Sequence, residues 1–379
     1  MRAAARAAAL GITLGGLAGA GCARPGRPAG PAGGPAEQAP AARRAGTYAN
    51  PVLDADFPDP TVLRASDGFY YAYATQTEVR RPDGSAATVN VQVARSRDLV
   101  KWDRLGDALP AKPRWASRTQ DFWAPHVSEH AGRYYLYYSA KPDTALRDTT
   151  QGLCLAVATA ASPAGPFADV GRPLECGPGF VNIDPMQFDD PRTAAPLLYW
   201  GSGFGPIKVR PLAPDRVSFA PGSRATTLVD VERTSDTTRY QRLVEGAWVV
   251  YRAPWYYLYY SGDNCCGPRA HYAVMVARSR SATGPFETLA QATGRPQSVI
   301  LERSPAWNAP GHNSVVRDAR GDDWLVYHAV DPRRPRGAAD ADPNTRRILL
   351  MDRLVYRDGW PAVEAGRPSD GPRPAPAVP

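Results

Sequence analysis

Five aromatic, strand-like runs recur along the chain at nearly constant spacing. They are GFYYAYAT (68–75), GRYYLYYS (132–139), PLLYWG (196–201), WYYLYYS (255–261) and DWLVYH (323–328). Their last residues, Thr75, Ser139, Gly201, Ser261 and His328, are separated by steps of 64, 62, 60 and 67 residues. β-Branched and aromatic residues fill the runs and turn residues flank them, so each predicts a strand. A second strand-like run follows in each unit: VNVQVARSRDLVKW (89–102), LCLAVATAASPAGPF (153–167), IKVRPLAPDRVSF (207–219), YAVMVARSRSATGPF (272–286) and RILLMDRLVYRDGW (347–360). A unit of about 63 residues with several antiparallel strands cannot bury both faces alone. Units set side by side can, and a closed ring leaves few exposed edges. The repeat therefore predicts an all-β chain folded as a five-bladed β-propeller. No sustained 3.6-residue apolar period competes with this reading, and 34 Gly with 39 Pro favour turns over long helices.

Counting back from the strand ends gives one residue per unit. Asp59 (in DFPDP), Trp123 (DFWAPHV), Glu245 (LVEGAW) and His312 (PGHNSVV) stand sixteen residues before their strand ends, and Asp184 (NIDPMQF) stands seventeen before. In a propeller the first strand of each blade lines the central channel, so these five positions are expected to face one another at one mouth. Three carboxylates converging there repel, and such a cluster persists for its chemistry or for a cation. Taken singly, PDP is a common turn and one glutamate before a strand means little. The shared register across five units is what carries weight.

The ends and the cysteines set the compartment. Arg2 and Arg6 precede a short apolar run, AAALGITLGGLAGA, and small residues continue to Cys22. Residues 1–22 therefore read as an export signal. GAGC at 19–22 matches a bacterial lipobox with Gly19 in place of leucine, so Cys22 is either a lipid-anchored residue or a stray cysteine behind a plain cleaved signal. Residues 23–46, nearly all Ala, Pro, Gly and Arg, read as a tether, and 47–379 as one propeller domain. Export permits disulfides. Cys154 and Cys176 are candidates for a pair, and the adjacent Cys265 and Cys266 for a vicinal disulfide or two thiols; no CxxC pair suggests zinc. The net charge of +8 comes from scattered arginines, with only four lysines among 45 basic residues. This reads as a solvated surface, and no nucleic-acid partner is expected.

There is no GxSxG, HExxH or P-loop, so carboxylate chemistry is left. Two carboxylates flanking a glycosidic bond hydrolyse it: one protonates the leaving oxygen, the other activates water or attacks carbon. Glu245, among Val244, Ala247 and Trp248, is the better acid. Asp59, between prolines, is the better base, and Asp184 is placed to hold Glu245 protonated and oriented. Trp123 is either a sugar-stacking platform or hydrophobic packing.

NPVLDADFPDP, NIDPMQF, LVEGAW, FWAPHV, GHNSV and the terminal DGWP together resemble glycoside hydrolase family 43, from about Asn50 to Trp360. The resemblance implies a five-bladed propeller enzyme of the inverting kind, acting on arabinose- or xylose-containing plant polysaccharides or oligosaccharides. It implies Asp59 as general base, Glu245 as general acid and Asp184 as modulator of the acid. Trp123, His312 and Arg347 would bind substrate. No cofactor is required, although in some members the fifth-blade histidine, here His312, helps hold a central Ca2+. Two positions depart from the family pattern: Ala247 replaces a common proline, and His126 replaces an aspartate. YYSGDNCCG is similar to a paired-cysteine loop of arabinan-acting relatives, which favours arabinose. The competing reading is a non-catalytic carbohydrate-binding propeller at the cell surface, which would be expected to have lost at least one carboxylate.

Overall fold

The computed structural model describes residues 43–44, 46–80, 83–201, 203–335 and 345–378. The signal, Cys22 and nearly all of the expected tether lie outside the described residues. Within them, five antiparallel sheets follow one another along the chain. The first blade is built from Thr61–Arg64, Tyr70–Ala74, Gln92–Ser96 and Asp103–Asp107, the second from Phe122–His130, Arg133–Ala140, Cys154–Ala160 and Ala168–Asp169. The third comprises Met186–Asp189, Pro196–Trp200, Ile207–Pro211 and Thr226–Val229. Val244–Arg252, Trp255–Asn264, His271–Ser279 and Glu287–Thr288 make the fourth; Asn308–Arg317, Asp323–Val330, Ile348–Arg357 and Trp360–Val363 make the fifth. The five aromatic runs are the second strands, as their composition predicts. The single α-helix among the described residues, Leu289–Thr293, is one short turn capped at both ends, by Thr288 and by the left-handed Gly294.

The apolar core lies between neighbouring blades. One cluster joins Tyr73 and Val93 of the first blade to Phe122, Leu136 and Tyr138 of the second. Another joins Tyr137 and Val157 to Leu198 and Trp200, and the largest runs through the third, fourth and fifth blades. This arrangement accounts for the excess of tyrosine over phenylalanine. Tyr73, Tyr137, Tyr199 and Tyr259 each sit two residues before a second-strand end, and each sends its hydroxyl into the next blade. Tyr73 donates to the Pro163 carbonyl (2.5 Å), Tyr137 to that of Arg216 (2.8 Å) and Tyr199 to that of Ala282 (2.6 Å), while Tyr259 meets the Tyr356 hydroxyl at 3.3 Å. A buried ring fills the gap between sheets, and its hydroxyl satisfies a carbonyl that the gap removes from water.

The ring closes between the fifth blade and the first. Thr47–Tyr48 pairs with Arg373–Pro374. Arg43–Arg44, within the segment expected to be a tether, pairs with Ala377–Val378. Leu53 bridges Leu349, the Asn50 amide exchanges hydrogen bonds with the Met351 backbone (3.0 Å each), and the Phe57 N–H donates to the Arg347 carbonyl at 2.7 Å. The leading strand of chain is thereby fixed to the fifth blade just before it enters the first. Both disulfides left open by the sequence are formed, Cys154–Cys176 across a strand pair and Cys265–Cys266 between neighbours.

Candidate active site

The innermost strands of the second, fourth and fifth blades carry the same irregularity near their beginnings. Trp123 pairs with Ser139 and His126 with Tyr137, so Ala124 and Pro125 face one residue. Glu245 pairs with Ser261 and Trp248 with Tyr259, and Gly311 pairs with His328 and Ser314 with Val326. These are β-bulges, which re-aim side chains at such positions. The first residue of each bulge is left-handed: Ala124 (φ 46°), Gly246 (62°) and His312 (48°). Asp59 (56°) and Asp184 (58°) take the same conformation where the first and third blades begin. A left-handed non-glycine residue costs roughly 1–2 kcal/mol, so each is held there by its surroundings.

The holding group is a single hydrogen bond to each of the five N–H groups. The Ala124 N–H donates to Thr75 Oγ1 (2.8 Å), Asp184 N–H to Ser139 Oγ (3.1 Å) and His312 N–H to Ser261 Oγ (2.8 Å). Asp59 N–H donates to His328 Nδ1 at 3.1 Å. Thr75, Ser139, Ser261 and His328 are second-strand ends of the preceding blade. The third blade ends on Gly201, which has no side chain to offer, and there Gly246 N–H donates instead to the Asp184 carboxylate (Oδ2, 2.9 Å). The strand ends that measure the repeat are thus the groups that lock one blade to the next.

This geometry corrects the register read from the sequence. The equivalent left-handed residues are Asp59, Ala124, Asp184, Gly246 and His312; Trp123 and Glu245 stand one residue earlier, where the fifth blade has Gly311. The fifth blade carries the same bulge and its count still falls on His312; what differs is the hairpin, two residues in the second and fourth blades (131–132 and 253–254) and five in the fifth (318–322), a difference that a fixed count does not see. The carboxylates therefore come from two adjacent positions, and Glu245 approaches the axis from a different direction than Asp59 and Asp184.

Asp59 is buried, and burial alone would raise its pKa. Arg347, His312 and His328 outweigh that, with the Thr75 hydroxyl helping, and hold the carboxyl well below the usual carboxylate range. Arg347 Nη1 donates to Oδ1 at 2.6 Å, and Thr75 Oγ1 donates to Oδ2 at 2.6 Å. The neighbouring arginines separate cleanly: Arg347 reaches Asp59, with its own N–H on Asp56 Oδ1 (3.0 Å), and Arg346 turns to Asp54. Glu245 is in the opposite situation. Burial is the main cause that pushes its pKa up, to about 7, and the negative charge of Asp59 adds to this. Its Oε1 accepts the Tyr272 hydroxyl at 2.7 Å. Burial raises Asp184 well above the usual range too, with Glu245 and Asp59 reinforcing it. His312, its pKa lowered by burial, places Nδ1 3.4 Å from Asp59 Oδ1 and 3.9 Å from Asp184 Oδ2. Single donor atoms of Asp184, Glu245 and His312 lie within 4.8 Å of one another.

Of the six residues expected at the site, five meet here: Asp59, Asp184, Glu245, His312 and Arg347. Trp123 faces the rim. It stacks on Phe180 (centroids 5.8 Å apart, planes 19°), so one of its faces is already covered. Phe180 is 48 % exposed, and the loop that packs on it at Gly203 carries Phe204, 74 % exposed. Thr75, Tyr272 and His328 were not anticipated. Their signal lay in polar residues ending or opening aromatic strands. Beneath the carboxylates the channel narrows to a chamber of about 20 Å³ lined by Asp59, His126, Asp184, His312 and Asn313. That is room for about one water, not a sugar ring, so a substrate reaches the carboxylates from the mouth. His126 is buried against Trp248 (5.3 Å, edge-on) with its pKa lowered by burial to about 3. It belongs to the channel wall below the site.

The chain is similar to known proteins. An extracellular exo-α-(1→5)-L-arabinofuranosidase of Cellvibrio japonicus is 26 % identical over 329 residues, covering 82 % of this chain and 86 % of that protein. An extracellular endo-α-(1→5)-L-arabinanase of Bacillus subtilis is 25 % identical over 318 residues, covering 80 % and 86 %. Among solved structures, a thermostable family-43 glycoside hydrolase superposes with a TM-score of 0.67 at 27 % identity, covering 87 % of this chain and 99 % of that one. Residues 48–361 match the glycosyl hydrolases family 43, and the chain belongs to that family.

Proposed function

We propose that this glycoside hydrolase releases L-arabinofuranosyl units from arabinan or its oligosaccharides by single displacement with inversion. Asp59, as general base, takes a proton from a water whose oxygen bonds to the anomeric carbon. On the opposite face the bond from that carbon to the leaving oxygen breaks, and Glu245, as general acid, gives that oxygen its proton. Asp184 orients the acid: Gly246, next to Glu245, donates its N–H to the Asp184 carboxylate. The carrying observation is the opposed settings of two carboxylates at one mouth, Asp59 held ionised by Arg347 and Glu245 pushed up by burial. Two such groups, driven apart by their environments, are an acid and a base ready at the same pH. The choice of arabinose over xylose rests on the arabinan-acting relatives and on the formed Cys265–Cys266 pair. A binding-only propeller has no observation in its favour.

No step needs a metal. Calcium takes six to eight oxygen ligands. The Asp184, Glu245 and His312 cluster offers two carboxylates and one imidazole nitrogen, and both carboxylates already accept hydrogen bonds. A cation against Glu245 would also hold it ionised and oppose its role as acid. The set does not fit a calcium cage.

The test follows products by proton NMR from the first minutes, on debranched arabinan and on xylo-oligosaccharides. The expected result is an arabinose end appearing first in the inverted configuration, absent with Glu245→Ala. Retained configuration would remove Asp59 from its role. Release from xylo-oligosaccharides alone would reassign the substrate. We further propose export, supported by relatives named extracellular, and a lipid anchor through Cys22, read from the sequence alone. Cys22→Ser is expected to move the protein from the membrane fraction to the medium.

A further inference from the structure

Tyr272 opens the third strand of the fourth blade, behind Glu245. It is 1 % exposed, and its hydroxyl donates to Glu245 Oε1 at 2.7 Å. Its ring lies flat on His328 (centroids 5.7 Å, planes 8°), the residue whose Nδ1 receives the Asp59 N–H. It also meets Gly311, so closely that a Cβ on Gly311 would overlap the Tyr272 ring. Gly311 and His328 are cross-strand partners in the fifth blade. One tyrosine is therefore packed against the fifth blade and bonded to the carboxylate of the fourth. Gly311 also occupies, in its own blade, the position that Glu245 occupies in the fourth. The ring fits because the fifth blade carries no side chain there.

A carboxylic acid has one proton and two oxygens. The oxygen that accepts a hydrogen bond from a fixed donor stays the carbonyl oxygen, and the proton sits on the other. Tyr272 therefore fixes both the rotation of the Glu245 carboxyl and the oxygen that carries its proton. We propose that Tyr272, packed against Gly311 and His328, is a positioning residue that reserves Glu245 Oε2 as the proton-donating oxygen towards the leaving group. The inference rests on the reading of Glu245 as general acid. It predicts a selective defect. A leaving group that departs well without a proton gains little from a positioned acid, whereas a sugar hydroxyl depends on it.

The experiment compares two substrates with wild type, Tyr272→Phe, Gly311→Ala and Glu245→Gln. One is a 1,5-linked arabino-oligosaccharide, with a poor leaving group; the other is 4-nitrophenyl α-L-arabinofuranoside, with a good one. General acid catalysis contributes about 10²–10⁴-fold. Tyr272→Phe keeps the ring and its packing, and is expected to lower kcat on the oligosaccharide about 10-fold or more while changing KM little. On the nitrophenyl substrate its kcat is expected to stay within about threefold of wild type. Gly311→Ala, which displaces the ring, should show the same contrast, and Glu245→Gln a larger one. Equal losses of Tyr272→Phe on both substrates, or none on either, would overturn the inference. A Glu245→Gln enzyme without the contrast would instead overturn Glu245 as acid, and the inference with it.

Discussion

At the scale of single residues, the site is two carboxylates in contrary environments and the small groups that keep them so. The proposed mechanism requires Glu245 protonated and Asp59 ionised. Glu245 is pushed up to about 7 and Asp59 is held far down by Arg347 and the two histidines. The kcat/KM profile is therefore expected to fall as pH rises through about 7, while staying level through the weakly acidic range, where Asp59 remains charged. An initial-rate series from pH 4 to 9 checks this, and a falling acidic limb near pH 5 would contradict the setting of Asp59. Thr75 is the second residue to probe. Its hydroxyl donates to Asp59 and accepts from the Ala124 N–H, so Thr75→Val leaves two buried partners unmet. The expected cost is about 3 kcal/mol in denaturant unfolding, with a loss of kcat beyond it. The three carboxylates were legible in the sequence because each sits in a local motif with a distinctive neighbourhood. Thr75, Tyr272 and His328 were not, because their partners lie on other strands or in another blade and only the fold brings them together.

Among the strands, the second of each blade was legible throughout, since aromatic and β-branched runs between turns admit little else. The bulges were not. A bulge adds one residue without changing composition, and Ala124, Gly246 and His312 have nothing in common as side chains. Nor was the one-residue offset of Trp123 and Glu245, which comes from hairpins of different length between the first two strands of a blade. Gly262, paired with Val244, shows how tightly the fourth-blade strands are set next to Glu245. A Cβ there would collide with Met275 and with the Tyr240 and Leu243 carbonyl oxygens, two of which are backbone and cannot swing away. Gly262→Ala is expected to cost about 1–3 kcal/mol, read as a lower midpoint in urea with an unchanged slope. Full stability in that variant would mean that the strand has slack that the packing denies.

For the molecule as a whole, the number of blades followed from the repeat, but the closure did not. It depends on two-residue strands, Thr47–Tyr48 and Arg43–Arg44, that pair with Arg373–Pro374 and Ala377–Val378. Pieces so short have no period to read, and their partners lie more than 300 residues away. Removing residues 372–379 would delete both pairs, the Ala375 N–H bond to the Gly46 carbonyl and the Ala377 N–H bond to the buried Asp318. The truncated protein is expected to unfold several degrees lower by calorimetry, in a transition broader than that of the full chain. The five left-handed residues carry a further consequence, for how such an enzyme changes over generations. Asp184 is at once a carboxylate of the proposed site and a joint between blades, since its side chain accepts the Gly246 N–H, whereas Asp59 and His312 join their neighbours through backbone N–H groups that other side chains would leave in place. A substitution of Asp184 that trades its chemistry also loosens the ring, so drift at that position is penalised twice. The rim, where Phe180 and Phe204 stand exposed, bears neither burden. New sugar preferences are cheapest to acquire at the rim, and the reaction itself is what the architecture makes hardest to inherit in altered form.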